Sequence, residues 1–212
     1  MPDRPSLEVV TEVLGKAPER DFAETVEISV NLKDLDLSVP KNRLEDEVQL
    51  PNGRGKTVKV AVFGSPELCQ KMRGVADLVV PANELDDFAK DKKAAKKVVT
   101  DIDFFLAEAP LMPTIGKRLG IVLGPRGKMP RPVPPGSDPT NLVNALKRSI
   151  RIRSKGNRTF HAPVGTRDME PEKIAQNVDA VLNRILGKLE RGRTNIESVY
   201  LKTTMGPAVR LW

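Results

Sequence analysis

The chain contains one cysteine and one histidine, and this scarcity excludes several kinds of site. Because Cys69 has no partner, no disulfide can form within the chain, and a cytosolic compartment is expected. A zinc site of the usual Cys/His types cannot be built from Cys69 and His161 alone. We predict that the protein has no metal, no cofactor and no catalytic residue.

Aromatic residues and long apolar runs are also scarce. Aromatic residues make up only 4% of the chain, so base stacking on a Phe/Tyr platform cannot be the main mode of nucleic-acid recognition. No apolar run approaches the ~20 residues that a membrane-spanning helix needs. The N-terminus lacks a hydrophobic segment of the signal-peptide type. We expect a cytoplasmic protein without a membrane partner.

Basic residues outnumber acidic ones, and two stretches contain no acidic residue. The chain has 35 lysines and arginines against 28 aspartates and glutamates, a formal charge of +7, which favours an anionic partner without naming one. The acid-free stretches are residues 109–137 and 148–158. The prolines and glycines within 113–136 are predicted to prevent a helix and to form a loop. Arg151 and Arg153 alternate with isoleucines and are predicted to line one face of a strand.

The middle of the chain alternates between strand and helix patterns. Apolar strand segments are separated by helical ones at the spacing of a parallel, doubly wound sheet. No Gly-x-Gly-x-x-Gly follows the first strand, so dinucleotide binding is not expected. Gly55-Lys56-Thr57 is similar to the end of a phosphate-binding loop, but the first glycine of that motif would fall at Leu50. The predicted strands are 58–62, 77–80 and 102–106, and the predicted helices are 65–73, a lysine-rich one at 83–99, and one from Asp138 through Ile150.

The two ends of the chain each carry one helix and several strands of the antiparallel type. Residues 26–33 alternate apolar and polar side chains, as a half-buried strand does. The helix from about Ser6, its expected N-cap, has Leu7, Val10, Val13 and Leu14 as its expected apolar face. A second helix runs from Pro171 to Gly192, and its apolar stripe is expected to be core. Residues 33–47 are predicted to form a long loop.

Neither end alone buries enough area to fold. We therefore predict an α/β protein of two domains. Residues 1–62 and 150–212 would form a discontinuous α+β domain, and residues 63–149 an inserted Rossmann-like, three-layer α/β domain. Hinge motion is expected at the two connections between them.

The run from Lys202 to Pro207 combines two adjacent hydroxyls, a flexible thioether, a glycine and a proline. Such short donors and acceptors with exposed backbone suit the reading of ribose hydroxyls and base edges of RNA. A plain β-turn is the alternative interpretation. Evidence from the rest of the chain is needed to choose between an RNA-binding surface and a plain β-turn.

Two further features leave alternatives open. Arg54 and Lys56 lie between glycines in a predicted hairpin turn, where they could also face a phosphate backbone. His161 lies in the run 160–165, which is expected to continue the arginine-lined strand. It could be a buried hydrogen-bonded residue, a surface donor to RNA or a catalytic base, and no nucleophile pattern accompanies the third possibility.

Several specific runs, in order along nearly the whole chain, closely resemble the ribosomal protein L-one family, the universal protein of the mobile large-subunit stalk. The Lys128 and Val133-Pro134-Pro135 variants are similar to the archaeal branch. The runs are Phe22 with Glu24-Thr25-Val26-Glu27, Leu50 to Lys56, Leu123 to Pro130, His161 to Gly165 and Thr203 to Pro207.

The resemblance implies a protein, monomeric when free, whose discontinuous domain grips large-subunit rRNA. It also implies contact with E-site tRNA at its release and, in many members, translational repression through binding of the protein's own mRNA. Where the family often has a histidine, this chain has Asn52. The RNA-binding residues carried over are Phe22, Thr25, Glu27, Arg54, Lys56, Arg158, His161, Lys202, Thr203, Thr204, Met205 and Gly206.

Two other functions remain as alternatives. The inserted α/β domain could bind a small molecule or carry an enzyme site, although the phosphate loop and the dinucleotide glycines are missing. The Pro/Gly-rich segment 113–136 could be the surface of a protein-interaction module.

Overall fold

The computed structural model of the protein describes residues 4–85 and 92–212. The chain divides into two compact units, of which the first combines Met1–Lys56 with Arg148–Trp212 and the second is Thr57–Lys147. The boundaries predicted at 62/63 and 149/150 lie a few residues further along the chain. The first one differs because Val58 and Val60 pack into the core of the second unit.

Six helices and ten strands make up the described part of the chain. None of these helices is both long enough and apolar enough to cross a bilayer. The helices are α1 (Ser6–Lys16), α2 (Pro66–Met72), α3 (Lys92–Asp101), α4 (Met112–Leu123), α5 (Thr140–Lys147) and α6 (Pro171–Lys188). The strands are β1 (Thr25–Leu32), β2 (Glu45–Gln49), β3 (Val60–Gly64), β4 (Leu78–Pro81), β5 (Phe104–Glu108), β6 (Arg131–Val133), β7 (Ser149–Arg153), β8 (Thr159–Thr166), β9 (Ile196–Thr203) and β10 (Val209–Arg210).

The first unit is built around a four-stranded antiparallel sheet in the order β10-β9-β1-β8. β1 comes from the N-terminal segment and lies between two strands of the C-terminal segment, so the sheet requires both ends of the chain. The predicted alternation of β1 is confirmed, because Val26, Ile28, Val30 and Leu32 are fully buried.

Helices α1 and α6 pack against this sheet in the core of the first unit. The stripe predicted on α6 is buried, and the helix ends at Lys188 instead of Gly192. On α1 the predicted face is wrong in part, since Val9 joins Val10 and Val13 in the core while Leu7 is 44% exposed. The predicted N-cap is also wrong.

Ser6 is the first residue of α1 and not its cap. Its hydroxyl donates a hydrogen bond to the Asp179 carboxylate on α6, and the N-cap position is Pro5. The serine therefore links two helices instead of satisfying a backbone group at the start of its own helix.

Arg151 and Arg153, from the second acid-free stretch, lie on β7, as predicted, but this strand does not continue into β8. It pairs with β2 in a separate two-stranded sheet, and β2 begins at Glu45, within the segment predicted as loop. Arg151 and Arg153 lie 3.0 Å from Glu47 and Glu45 respectively. Strand pairing thus supplies the counter-charges that the local sequence lacks.

The second unit contains the predicted parallel sheet, in the order β4-β3-β5-β6. Its two faces are covered by different helices, which gives three layers. Ala61 and Phe63 on β3 pack in one core with α3 and α4, while Val60 and Val62 pack in another with α2 and α5. Ser65 caps α2, since its hydroxyl accepts a hydrogen bond from the Leu68 N–H.

The predicted loop at 113–136 is wrong, because its first part is helix α4 and residues 131–133 form β6. Pro113 lies in the first turn of α4, where a missing N–H costs no hydrogen bond. A Cβ at Gly116 or Gly120 would meet no neighbouring atom within 4 Å, so both glycines are accommodated without a special conformation. Irregular backbone in this segment is therefore confined to residues 124–130 and 134–136.

The cations of this segment serve the fold. The Lys128 ammonium donates to the carbonyls of Val99 at 2.9 Å and Thr100 at 3.1 Å, and also to that of Ile102. These carbonyls lie at the C-terminal end of α3, where a helix leaves acceptors unsatisfied and its dipole is negative. Arg126 likewise donates to the Val122 carbonyl at the end of α4.

Three remaining predictions for this part of the chain have mixed outcomes. The lysine-rich helix is described over Lys92–Asp101, and its predicted residues 86–91 lie outside the described residues. Helix α5 ends at Lys147, so Ile150 belongs to β7. Burial raises the pKa of the Cys69 thiol, which fits a packing role and not a nucleophile.

Candidate nucleic-acid interface

The sheet face opposite α1 and α6 is lined by polar side chains that form rows across three strands. Directly paired residues of an antiparallel sheet share a face, so the strand register defines the rows. The three rows are Pro163, Glu27 and Lys202; His161, Ser29 and Tyr200, here called the middle row; and Thr159, Asn31 and Ser198.

The two ends of the chain are joined by hydrogen bonds where β1 begins and β9 ends, a corner we call the sheet tip. The Thr204 N–H donates to the Thr25 carbonyl at 3.0 Å, and the Thr25 N–H donates to the Thr204 hydroxyl at 3.2 Å. Two residues along β1, the Glu27 carboxylate lies 3.9 Å from the Lys202 ammonium. Glu27 and Thr204 therefore lie at the same corner.

The residues after Thr204 form a tight bend that exposes an apolar side chain. The Gly206 N–H donates to the Thr203 carbonyl at 3.2 Å. A Cβ at Gly206 would lie 2.2 Å from the Thr203 hydroxyl, so only glycine fits the bend as it stands. Met205 is 59% exposed on it, and Phe22, just before β1, is 53% exposed. Two apolar side chains are thus held in solvent by the segments that meet at the tip.

A buried carboxylate fixes this bend. Glu24 is fully buried, and its Oε1 accepts a hydrogen bond from the Met205 N–H at 2.9 Å. Its Oε2 lies 3.6 Å from the Arg167 guanidinium, which also donates to the carbonyls of Ala17 and Pro18 after α1. The network ties the end of α1, the end of β8 and the bend together.

Sequence reasoning did not assign a role to Glu24 or Arg167, although one signal was present for the first. Glu24 has the same parity as Val26 and Ile28, so the period-two pattern that predicted β1 also places it on the buried side. A charge on a buried face requires a partner. Nothing in the local sequence identifies Arg167 as that partner.

The turn after β2 brings two cations against the same corner. A Cβ at Gly55 would lie 2.2 Å from the hydroxyl of Thr166, whose strand partner is Thr25. Lys56 is exposed and Arg54 is half-buried. The turn is not a hairpin, since the strands before and after it belong to different sheets.

Asn52, where the resembling family often has histidine, is committed to the fold. Its side-chain amide donates to the Lys173 carbonyl at 3.1 Å and to Gln176 Oε1 at 2.8 Å on α6. The fully buried Asn177 amide donates to the Gly53 carbonyl at 2.7 Å. These bonds fix the turn that carries Arg54 and Lys56.

Three of the predicted site residues lie apart from the others. Thr203 is fully buried on the core side of β9, so its side chain cannot be part of a surface. Arg158 is exposed, but its carbonyl accepts from the Leu32 N–H at the far end of β1. The five steps along the strand from Glu27 to Leu32 span about 17 Å. His161 is exposed in the middle row, which excludes the buried alternative.

The site and the fold are those of a binding protein, before any comparison with known proteins is made. A sheet built from both chain ends presents hydroxyls, a carboxylate, cations and two exposed apolar side chains, and a three-layer α/β unit is inserted in the chain. The described residues contain no cluster of three or more potential metal ligands. The arrangement offers groups that bind and orient a partner.

Comparison with known proteins gives the family. The model of the ribosomal protein L1p/L10e family matches residues 14–207. A large ribosomal subunit protein uL1 of Thermoplasma acidophilum is 60% identical over 202 residues, 95% of this chain and 93% of that protein. Those of Methanocella arvoryzae and Pyrococcus horikoshii are each 50% identical, over 100% and 97% of this chain and 100% and 94% of theirs.

The chain therefore belongs to the ribosomal protein L1p/L10e family, and the predicted resemblance to its archaeal branch is confirmed. Membership makes it a ribosomal protein and not an enzyme. The alternative of an enzyme site in the second unit is thus wrong.

Proposed function

We propose that the sheet tip binds a folded segment of large-subunit rRNA. The observation that carries the proposal is the joining of Thr25 and Thr204 beside the Glu27 and Lys202 pair, which assembles one polar surface from segments far apart in sequence. Exposed Met205, with Phe22 from the segment before β1, adds adaptable apolar contacts for ribose and base faces.

The neutral groups and the cations have different tasks in this proposal. Threonine hydroxyls and the Gly206 backbone are suited to 2′-hydroxyls and base edges, which carry the information that distinguishes one RNA from another. Arg54, Lys56 and Lys202 would neutralise phosphates and set affinity and its salt dependence.

Glu27 is a carboxylate on a surface for a polyanion, and this has a consequence for selectivity. It can accept hydrogen bonds from a base amino group or a 2′-hydroxyl, but it repels a phosphate placed at the same point. Its neighbour Lys202, at 3.9 Å, offsets part of that charge in the free protein. RNA of the wrong shape would bring phosphate to Glu27 and be rejected.

The resemblance supports a finer assignment, which we include in the proposal. The protein would form the mobile stalk of the large subunit, assist the release of E-site tRNA, and repress translation by binding its own mRNA through a copy of the rRNA site. It would be monomeric when free. Outside the tip, Arg158 and His161 would make peripheral contacts.

The experiment is a binding titration of the full chain with a fragment of stalk rRNA and, in parallel, a hairpin of the same length with scrambled sequence. We expect the fragment to bind at least a hundredfold more tightly at physiological salt, since specific complexes exceed non-specific ones by factors of this order or more. Equal affinity for the two RNAs would contradict the proposal. Adding the leader of the protein's own mRNA as competitor tests repression, and failure to displace the rRNA fragment would remove that part alone.

A further inference from the structure

The middle row (His161, Ser29 and Tyr200) differs from the rows on either side because its polar groups are unengaged. In one neighbouring row the Thr159 hydroxyl donates to Asn31 Oδ1 and the Asn31 amide donates to the Ser198 hydroxyl, both at 2.7 Å. The other neighbouring row contains the ion pair at the tip. Within residues 4–85 and 92–212, no side-chain hydrogen bond or ion pair engages His161, Ser29 or Tyr200.

Two rings flank a small residue in this row. Tyr200 is the only tyrosine of the chain and His161 the only histidine, and the strand register places them on either side of Ser29. His161 is exposed, and Tyr200 and Ser29 are half-buried. An imidazole, a short hydroxyl and a phenol therefore form two walls and a floor on the polar face of the sheet.

The width of this arrangement suits one flat ring. Directly paired residues have Cβ atoms about 5 Å apart, so the outer two of the row are separated by about 10 Å. A ring stacked between two others needs about 7 to 8 Å between the outer ring planes, at about 3.5 to 4 Å per contact. If each ring leaned by about 1 Å toward Ser29 when the base enters, the outer ring planes would reach that spacing.

We propose that the middle row is a slot for a single unpaired nucleobase of the bound RNA. The base would stack between His161 and Tyr200, and its edge would meet the Ser29 hydroxyl. The inference rests on the proposed function, since Ser29 lies two residues along β1 from Glu27 on the same face, and RNA held at the tip would reach it. Stacking between rings accepts any base and requires that the base is unpaired.

The presence of one tyrosine and one histidine makes the test direct. In the full chain with selectively labelled tyrosine and histidine, each ring gives a single set of NMR signals. Titration with the stalk rRNA fragment is expected to move both sets together, with the ring-current direction of a stacked base. A fully paired duplex of the same length is expected to leave both sets in place.

Matched variants test the same slot by affinity. Ser29→Leu fills the floor while both rings remain, and Tyr200→Leu removes one wall. Each is expected to weaken binding of the fragment by roughly five- to a hundredfold, the range for loss of one base stack. Ser29→Ala keeps the space and loses only the hydroxyl contact, and Tyr200→Phe keeps the ring, so each should lose less affinity than its leucine counterpart.

The outcomes separate the slot from the function on which it rests. If the fragment binds no better than the scrambled hairpin, the proposed function fails. If it binds specifically while the tyrosine and histidine signals stay fixed, or if Ser29→Leu binds as Ser29→Ala does, the slot is wrong and the function stands. If Tyr200→Leu fails to fold, the NMR titration of the natural chain with the stalk rRNA fragment still tests whether the slot exists.

Discussion

At the scale of single residues, Glu24 is the group on which the shape of the tip depends. A buried carboxylate is costly unless it is hydrogen-bonded, and this one accepts from the Met205 N–H and faces the Arg167 guanidinium. The exposed side chains that would touch RNA are thus positioned by a residue that RNA cannot reach. Its removal should affect stability and recognition together.

We predict that Glu24→Ala lowers the free energy of unfolding by about 1–3 kcal/mol, the cost of leaving buried polar partners unsatisfied. It should also weaken binding of the stalk fragment, because Met205 loses its backbone anchor. Glu24→Gln still accepts a hydrogen bond from the Met205 N–H, so it should keep more of the stability and more of the affinity for the fragment than Glu24→Ala does.

Urea unfolding and fragment titration measure the two effects. Glu27→Gln, a change on the open side of the adjoining strand β1, is the control and should alter stability by no more than about 0.5 kcal/mol. If Glu24→Ala were as stable as the natural chain, the role given to this carboxylate would be wrong.

The residue scale also shows how much of the site could be read from the sequence. The composition of residues 202–207 suggested a surface for RNA, but the inclusion of Thr203 among the contacts was an error of parity. Thr203 follows Val199 and Leu201 at a spacing of two, so the alternation of β9 already placed it in the core. The neighbours Thr204 and Met205 remain predictions for the interface.

At the scale of elements, β1 and α6 were predictable because their apolar periods are long and regular. The parallel sheet was predictable because short apolar segments alternate with helical ones. Helix α4 was missed because its proline and glycines were counted as helix breakers. Pro113 lies in its first turn, where proline is tolerated, and Gly116 and Gly120 have open space around them. The pairing of β7 with β2 could not be predicted, because the glutamates opposite Arg151 and Arg153 lie about a hundred residues away.

Lys128 gives the prediction at this scale. Three carbonyls at the end of α3 lose their donor in Lys128→Met, and the free energy of unfolding should fall by about 1.5–3 kcal/mol, the range for hydrogen bonds to a charged group. Lys128→Met should not change the salt dependence of RNA binding, because the Lys128 ammonium donates its hydrogen bonds to backbone carbonyls of the protein.

Thermal or urea unfolding of Lys128→Met beside Lys117→Met tests this. Lys117 is exposed on α4, and its replacement should change stability by less than about 0.5 kcal/mol. A loss of RNA affinity with unchanged stability in Lys128→Met would show that the lysine binds RNA instead.

At the scale of the whole molecule, both chain ends are needed for one unit, and the insertion is continuous. The juxtaposition of the ends was predicted from the need to bury enough area, whereas the residues that meet there were predicted only through the family resemblance. That the units act as separate domains joined by a hinge remains a prediction.

We predict that a chain in which residues 57–147 are replaced by a short Gly/Ser linker folds and binds the stalk fragment within about threefold of the full chain. The reason is that every group of the tip belongs to the first unit. Circular dichroism checks folding, and titration checks binding. A folded variant with a loss of a hundredfold would assign part of the RNA contact to the second unit.

The most direct test of the central claim is the salt dependence of fragment binding in Thr204→Val, Met205→Ala and Lys56→Ala. The account assigns sequence recognition to the neutral groups at the tip and phosphate neutralisation to the cations. Thr204→Val and Met205→Ala should therefore lower the affinity without changing the slope of log K against log salt. Lys56→Ala should lower the slope of log K against log salt by about 0.7–0.9, the value for one phosphate contact. Affinities equal to that of the natural chain in all three variants would contradict the account.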